Sequence, residues 1–380
     1  MAHHSNTPAR RRGGFQPPHC PNPECAFHKL RAHWRFKRAG FFVRPSDKRP
    51  IQTFQCLHCG RKFSTRTFSA TYWLRRRDLY PRIASMICEG PALRQIARIL
   101  CVSHATIGRH VARLGRHGLL FHHDLMQQIQ IHEPLVVDGF ETFEYSQYFP
   151  FHINFAAGSD SWFLYHFTDA PLRRKGRMTP HQKRRRTELE HLYARPDPKA
   201  VERSMAELVR PLLGMIPHKA FVLHSDDHKA YPRALKRLRE EEPDGPKIDH
   251  RITPSTERRT KKNPLFPVNL IDLLARHSSA NHRRETIAFS KSRQSAMERT
   301  AILTVWRNCV KRRSENGPRQ SAAMYVGLLD RLLTWREVLR RRWFPHHAQL
   351  PKEWADYYWK RVKTVVLQDR QTEHTCLYAF

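Results

Sequence analysis

The pattern of apolar and polar positions changes twice along the chain. Over residues 70–117 apolar residues recur at helical spacing on both sides of a short turn, which predicts a helical domain over 67–125. From about residue 131 the pattern becomes short apolar runs broken by turn residues, as at 135–137 and 151–155, which predicts consecutive strands.

Later segments return to helical spacing. Residues 198–214 and 267–312 are predicted to be helical, and one more strand is predicted at 220–224. Strands followed by helices predict a mixed α/β domain over 131–312. A helix predicted at 319–344 belongs to a helical C-terminal region over 313–380, and its Leu and Trp stripe suits core packing better than assembly.

Composition narrows the classes of function. The 380 residues, 40% of them hydrophobic, are enough for two or three folded domains. Lys and Arg number 68 against 34 Asp and Glu, a net charge of +34, and residues 1–120 hold 23 of these cations against four acids. Such an excess favours nucleic acid as partner over a role in solubility or ribosome association.

Two segments of the chain are especially rich in basic residues. Residues 1–19 are predicted to be a flexible basic arm, without the apolar core of a secretory signal. Residues 172–186 hold eight cations and no acid, which predicts an exposed, disordered insertion over about 172–197 that tracks a DNA backbone or is simply solvated. No apolar run reaches about 18 residues, so no membrane span is predicted.

Four cysteines have the spacing of a metal site. Four residues separate Cys20 from Cys25 in the pattern Cys-x4-Cys, and Cys56 and Cys59 follow as Cys-x2-Cys. Two such knuckles can offer four thiolates to one structural Zn²⁺, which predicts a zinc ribbon over 20–66. The alternatives are free thiols in an unrelated loop, or a nearby histidine in place of one cysteine; these histidines are His19, His28 and His58.

Residues 91–111 have the pattern of a helix-turn-helix. Val102 fits the turn, and Ser103 is a natural N-cap for the second helix. The outer face of that helix is predicted to contact DNA through His104, Thr106, Arg109, His110 and Arg113, with Arg109 the best candidate for a base contact. Phosphate contacts are predicted for Arg75, Arg76 and Arg77. The alternative is an ordinary helical hairpin.

Two acidic residues follow predicted strands. Asp138 closes the strand at 135–137, and Asp226 follows the strand at 220–224. Carboxylates from adjacent strands can bind Mg²⁺ and present it to phosphate oxygens, and a third carboxylate from a helix normally completes such a site. Turn or capping roles are the alternative for both residues.

In this order of motifs the chain resembles the DDE transposases of bacterial insertion sequences, nearest to insertion sequence one. The resemblance covers about residues 20–310. It is most specific at the second knuckle (55–63), at Asp226 to Tyr231, and at Arg276 with residues 284–292, which include Phe-Ser-Lys-Ser. It implies a multidomain protein in which a zinc ribbon and a helix-turn-helix precede an α/β ribonuclease-H-like catalytic domain.

The resemblance also implies site residues. Asp138 and Asp226 correspond to the first two Mg²⁺ ligands, with Mn²⁺ able to substitute, and Arg276 corresponds to a DNA contact. Where the family carries Glu-x-x-Asn on the following helix, this chain has Asn269 and Asp272, so Asp272 is the expected third ligand. Glu285 and Glu298 are the alternatives. A second departure is Gly139, which stands where the family usually has an acid.

The expected function is therefore that of a transposase which binds terminal inverted repeats of double-stranded DNA and acts as a homodimer or larger assembly. It would cut and rejoin DNA by Mg-dependent phosphodiester transfer. The resemblance also implies a cytoplasmic protein associated with the bacterial nucleoid. The alternatives are a transposase-derived DNA-binding protein or repressor with an inactive catalytic domain, and a sequence-independent ribonuclease-H-like nuclease.

Overall fold

The computed structural model describes residues 14–45, 47–283 and 286–365. These residues form two compact units. The first comprises residues 14–78 and Arg336–Gln349, and the second comprises Leu79–Trp335 and 350–365. Most of the predicted arm at 1–19 lies outside the described residues.

The first unit is built on a three-stranded antiparallel sheet with the strand order β1-β2-β3. Its strands are β1 (Phe36–Val43), β2 (Pro50–Cys56) and β3 (Lys62–Ser64). Single helical turns lie at Ala26–His28, Thr65–Phe68 and Pro345–His347. The small core combines aromatic rings with three cysteines: Cys20, Cys25, Phe54, Cys56, Phe63, Phe68 and Phe344.

The second unit opens with three helices, α1 (Leu79–Ile87), α2 (Leu93–Ile99) and α3 (His104–Met126). Each presents an apolar stripe to its neighbours, as at Ile83, Ile96 and Ile107, which are fully buried. Ser103 caps α3 as predicted, because its hydroxyl accepts a hydrogen bond from the Thr106 N–H.

A five-stranded mixed sheet follows, with the strand order β6-β5-β4-β7-β8. Its strands are β4 (Leu135–Phe143), β5 (Pro150–Gly158), β6 (Leu164–Pro171), β7 (Ala220–Ser225) and β8 (Lys247–Ile252). The first three strands pair antiparallel, whereas β7 lies parallel to β4 and β8 parallel to β7. The predicted mixed α/β arrangement is therefore present.

Helices accompany this sheet: α4 (Pro180–Tyr193), α5 (Ala200–Leu213), α6 (Ala230–Glu241), α7 (Phe266–Ser278) and α8 (Arg293–Val305). Helix α5 packs on β5 and β6, while α7 packs on β4 and β5. Within 267–312 the helices α7 and α8 are separated by a turn at Ala280–His282, and a π-helical turn at Trp306–Val310 follows α8. That segment is therefore not one continuous helix.

The prediction of one helix over 319–344 is wrong. The structure has only the short helices α9 (Ala322–Tyr325) and α10 (Trp335–Val338) there, before α11 (Lys352–Tyr358). Gly327 adopts φ +76°, which ends the first turn. Leu328, Leu329 and Leu333 still pack against the core, so irregular backbone satisfies the same apolar stripe.

The prediction of disorder at 172–186 is also wrong in part, because residues from Pro180 onward form α4. Thr179 caps this helix through a reciprocal pair of hydrogen bonds with Gln182. Glu190 pairs with Arg173 and Arg186, which fixes the preceding loop to the helix. In the described ranges, no helix is both long and apolar enough to span a membrane.

Candidate functional site

The sheet topology brings Asp138 and Asp226 to neighbouring positions. Leu135 pairs with Leu223 and Val136 with His224 across the parallel strands β4 and β7. The same register, carried two residues further, sets Asp138 level with Asp226. The prediction that Asp138 closes its strand is wrong, because β4 continues to Phe143 in its pairing with β5. The carboxylate of Asp226 accepts a hydrogen bond from the His228 N–H at 2.9 Å, which fixes it in the turn after β7.

Asp272 approaches this pair from α7, whose buried residues Val268, Ile271 and Ala275 hold the helix against the sheet. The Oδ1 atom of Asp272 is buried and has no hydrogen-bond partner in the structure. A buried carboxylate oxygen without a donor is costly unless a cation or a proton satisfies it. This oxygen therefore fits the role of a metal ligand.

Asp138 interacts electrostatically with both Asp226 and Asp272. Burial raises the pKa of Asp138 to about 6, and the negative charge of Asp226 adds to the rise. Burial also raises the pKa of Asp272 well above its usual range, and the charge of Asp138 contributes. A bound divalent cation would reduce the repulsion between these carboxylates in their partly dehydrated site.

The convergence is loose in one respect. Among the described residues, the ligand oxygens of these three aspartates do not all lie within 4.8 Å of one another, whereas those of other clusters do. One ion bound by all three carboxylates would need a tighter group. Two ions about 3.5–4 Å apart would spread the ligands over a longer span.

Tyr231, Arg259 and Arg276 complete the surroundings. The Tyr231 hydroxyl donates to Asp138 Oδ1 at 3.2 Å, and the positive charge of Arg259 acts on both Asp138 and Asp272. The Arg276 guanidinium lies 4.7 Å from the centre of the Phe140 ring. Sequence reasoning missed Arg259, although the basic tract at 258–262, a few residues before α7, was a signal for it.

Steric crowding explains why position 139 is a glycine, where the transposases that the chain resembles usually have an acidic residue. A Cβ atom there would lie 1.8 Å from the carbonyl oxygen of Ile153 on β5. Since real Cβ contacts are far longer, the close pairing of β4 and β5 excludes any larger side chain at this position.

Of the two alternative third ligands, Glu298 does not join the site. Glu298 is buried on α8, bonded to Gln294, and the charges that act on it come from Lys360, Arg116 and Arg299. Glu285 lies outside the described residues. Asp227 is exposed and accepts from the Ser255 hydroxyl at 3.3 Å.

The four predicted cysteines come together in the first unit. Their sulfur atoms all lie within 4.8 Å of one another, and Cys59 alone among them is exposed. Burial alone would raise the pKa of the Cys56 thiol. Hydrogen bonds from backbone N–H groups of the second knuckle and from the Trp34 indole instead lower it to about 7. This buried cluster could bind zinc, since the thiolate is the ligating form.

Helices α2 and α3 meet at a tight turn, in which Cys101 has φ +51° and the Val102 N–H bonds to the Ala97 carbonyl. A family model described as a helix-turn-helix domain matches residues 81–114. Helix-turn-helix domains of this kind are typical of transposase DNA-binding domains, and the match implies DNA binding. None of the curated proteins compared with the chain matches it.

The helix-turn-helix presents three of the five predicted side chains near the start of α3. His104 and Arg109 are exposed and Thr106 is half-buried, with Arg109 donating to the Thr106 hydroxyl at 3.3 Å. Placing His110 on the outer face was wrong, because it is buried with its ring 5.9 Å from that of Tyr80. Arg113 is half-buried, and its charge acts on the Tyr80 hydroxyl.

The predicted phosphate contacts Arg75, Arg76 and Arg77 belong to the first unit. Arg76 forms a bidentate pair with Asp78, and Arg77 pairs with Asp47 at 3.1 Å. Arg75 is exposed. Two of the three guanidinium groups are thus engaged within the chain.

Proposed function

We propose that this protein is a DDE-class transposase that binds DNA ends through the helix-turn-helix and cuts and rejoins DNA at the three aspartates. The observation that carries the proposal is that Asp138, on β4, lies near enough to act electrostatically on both Asp226, which follows β7, and Asp272 on α7. A sheet of three antiparallel strands extended by two parallel ones, with Asp138 inside β4 and Asp226 directly after β7, supports a ribonuclease-H-like fold.

Divalent magnesium fits the donor set, because hard cations prefer carboxylate oxygens. When bound by the three aspartates, such ions would supply an activated water or 3′-hydroxyl and stabilise the leaving oxygen of an in-line displacement. Manganese has the same ligand preference and would substitute.

The chain's own residues have separate parts in this scheme. The Tyr231 hydroxyl orients Asp138 by its hydrogen bond, and the charges of Arg259 and Arg276 attract the phosphodiester to the edge of the sheet. Gly139 allows β4 and β5 to pair closely beside the site.

DNA recognition is assigned to the front of the chain. Arg109 would read a base edge, with His104 and Thr106 beside it, because the start of a recognition helix enters the major groove. Zinc on the four cysteines would hold the first unit as a zinc ribbon, since its core is otherwise only a few rings.

The test uses a plasmid that carries the DNA flanking the reading frame, including any short inverted repeats. With Mg²⁺ or Mn²⁺, the wild-type protein should cut at the repeat ends and join them to target DNA. Asp226→Asn and Asp272→Asn should abolish both steps, whereas the matched control Asp227→Asn should retain them because Asp227 is exposed. Cutting that ignores the repeats, or that survives Asp226→Asn, would contradict the proposal.

The second candidate is a transposase-derived DNA-binding protein without catalysis. The observation in its favour is the exchange of acid and amide on α7, where Asp272 stands one turn beyond Asn269 and has a shorter side chain than Glu. Specific binding of the repeats without any cutting in either metal would select this candidate.

A further inference from the structure

Three histidines of the first unit form a cluster separate from the cysteines. His19 and His28 flank the first knuckle, and His347 comes from the segment Arg336–Gln349. One ring nitrogen from each lies within 4.8 Å of those from the other two. The ring of His347 lies 4.4 Å from each of the other two rings, centre to centre.

Hydrogen bonds fix how the two buried rings present their lone pairs. The Nδ1 atoms of His19 and His28 lie 2.9 and 2.7 Å from the carbonyl oxygen of Cys20. Because a carbonyl oxygen only accepts, each Nδ1 carries the hydrogen and each Nε2 keeps its lone pair. Metal-binding histidines are usually held this way, with the second nitrogen donating to a carbonyl or carboxylate.

The lone pair on His28 Nε2 accepts no hydrogen bond in the structure. His28 is 1% exposed, and its Nε2 atom is buried with no hydrogen-bond partner in the structure. A ring kept only for packing would leave this nitrogen unsatisfied, at the cost of a buried polar group. A coordinate bond to a cation satisfies it.

The neighbours indicate which cation fits. The site offers only imidazoles, beside the rings of Phe68 and Phe344. Imidazole suits Zn²⁺ and related transition metals, whereas Mg²⁺ and Ca²⁺ require oxygen ligands. Because His347 is exposed, an ion can enter from solvent and retain a water as its fourth ligand.

We propose that His19, His28 and His347 bind a second zinc-class ion, distinct from any ion on the four cysteines. This ion would fasten the segment Arg336–Gln349 to the first knuckle, and so join two parts of the unit that are far apart in sequence. The inference does not depend on phosphodiester chemistry at the aspartates.

The experiment measures zinc bound per chain in the full-length protein at a chelator-buffered free Zn²⁺ concentration, with excess Mg²⁺ to occupy carboxylate sites. The wild type should bind one more zinc than His347→Ala. The matched control is His33→Ala, an exposed histidine of the same unit outside the cluster. This control should equal the wild type. Equal zinc in the wild type and His347→Ala, or an equal loss in His33→Ala, would overturn the proposal.

Two further measurements keep the result independent of folding. His347→Cys replaces one ligand with another and should restore the second zinc. Added Zn²⁺ should raise the unfolding temperature of the wild type more than that of His347→Ala, because an ion bound only by the folded state stabilises it by mass action. An equal rise in both proteins would contradict a site that contains His347.

Discussion

At the scale of single residues, Tyr231 on α6 positions the Asp138 carboxylate. Its hydroxyl donates a hydrogen bond to Asp138 Oδ1. We expect Tyr231→Phe to fold normally and to cut DNA roughly tenfold to a hundredfold more slowly, since a lost hydrogen bond to a charged group costs about 1.5–3 kcal/mol. The rate is measured on repeat-end DNA at saturating Mg²⁺.

Tyr325→Phe is the control for that change, because Tyr325 is exposed and distant in sequence from the site. Its rate should match the wild type. Equal rates for Tyr231→Phe and the wild type would show that the hydroxyl does not position Asp138.

Residue-scale predictions from sequence succeeded where the signal was local. The cysteine spacing predicted a cluster that the structure forms, because each pair lies on its own turn. His110 failed because helical spacing alone does not show how wide the buried face of α3 is. The contact of His347 with the first knuckle could not be predicted, because more than 300 residues separate them.

At the scale of elements, α3 packs on α8 through a glycine. A Cβ atom on Gly115 would lie 2.3 Å from the backbone oxygen of Glu298, whereas one on Gly108 would contact nothing within 4 Å. We expect Gly115→Ala to lower the free energy of unfolding by about 1–3 kcal/mol, measured by urea denaturation.

Gly108→Ala is the matched control on the same helix. It should leave the free energy of unfolding unchanged or raise it by up to about 1 kcal/mol, because Ala is the better helix former. Similar losses in both variants would mean that close packing on α8 is not the reason for Gly115.

The start of α3 gives a second prediction at this scale. Arg109→Ala should weaken binding to the repeat by about 1–3 kcal/mol and weaken binding to unrelated DNA much less, as expected for a base contact. Fluorescence anisotropy with the two DNAs measures both affinities, with exposed Arg98→Ala on α2 as the control. A uniform loss on both DNAs would assign Arg109 to phosphate instead.

Strands were predicted well where short apolar runs ended at turn residues, as at β5 and β7. Helix α4 was missed because its charged residues bury only Leu189 and leave no apolar stripe. The segment 319–344 failed for the opposite reason, since its apolar residues reach the core without helical backbone. Periodicity reports which residues are buried more reliably than which backbone buries them.

At the scale of the whole molecule, buried neutral histidines make stability depend on pH. Burial lowers the pKa of His122 to about 4 and that of His166 to about 3. The unfolded chain, with histidine pKa values of about 6.5, binds more protons below that pH. Stability from these groups is therefore complete above pH 6.5 and declines as the pH falls toward 4.

The urea midpoint followed by circular dichroism should accordingly fall between pH 7.5 and pH 5. His166→Phe should flatten this dependence, because Phe fills the ring's place without titrating. The exposed control His104→Asn should leave it unchanged. A dependence as steep in His166→Phe as in the wild type would remove His166 from the explanation.

Joint binding of divalent ions by Asp138, Asp226 and Asp272 can be observed in crystals of the protein grown or soaked with Mn²⁺, in which anomalous scattering locates the manganese. We expect manganese bonded to oxygens of Asp138 and Asp226, with Asp272 as a further ligand. Manganese bound elsewhere, while these three carboxylates remain without it, would show that they are not a metal site.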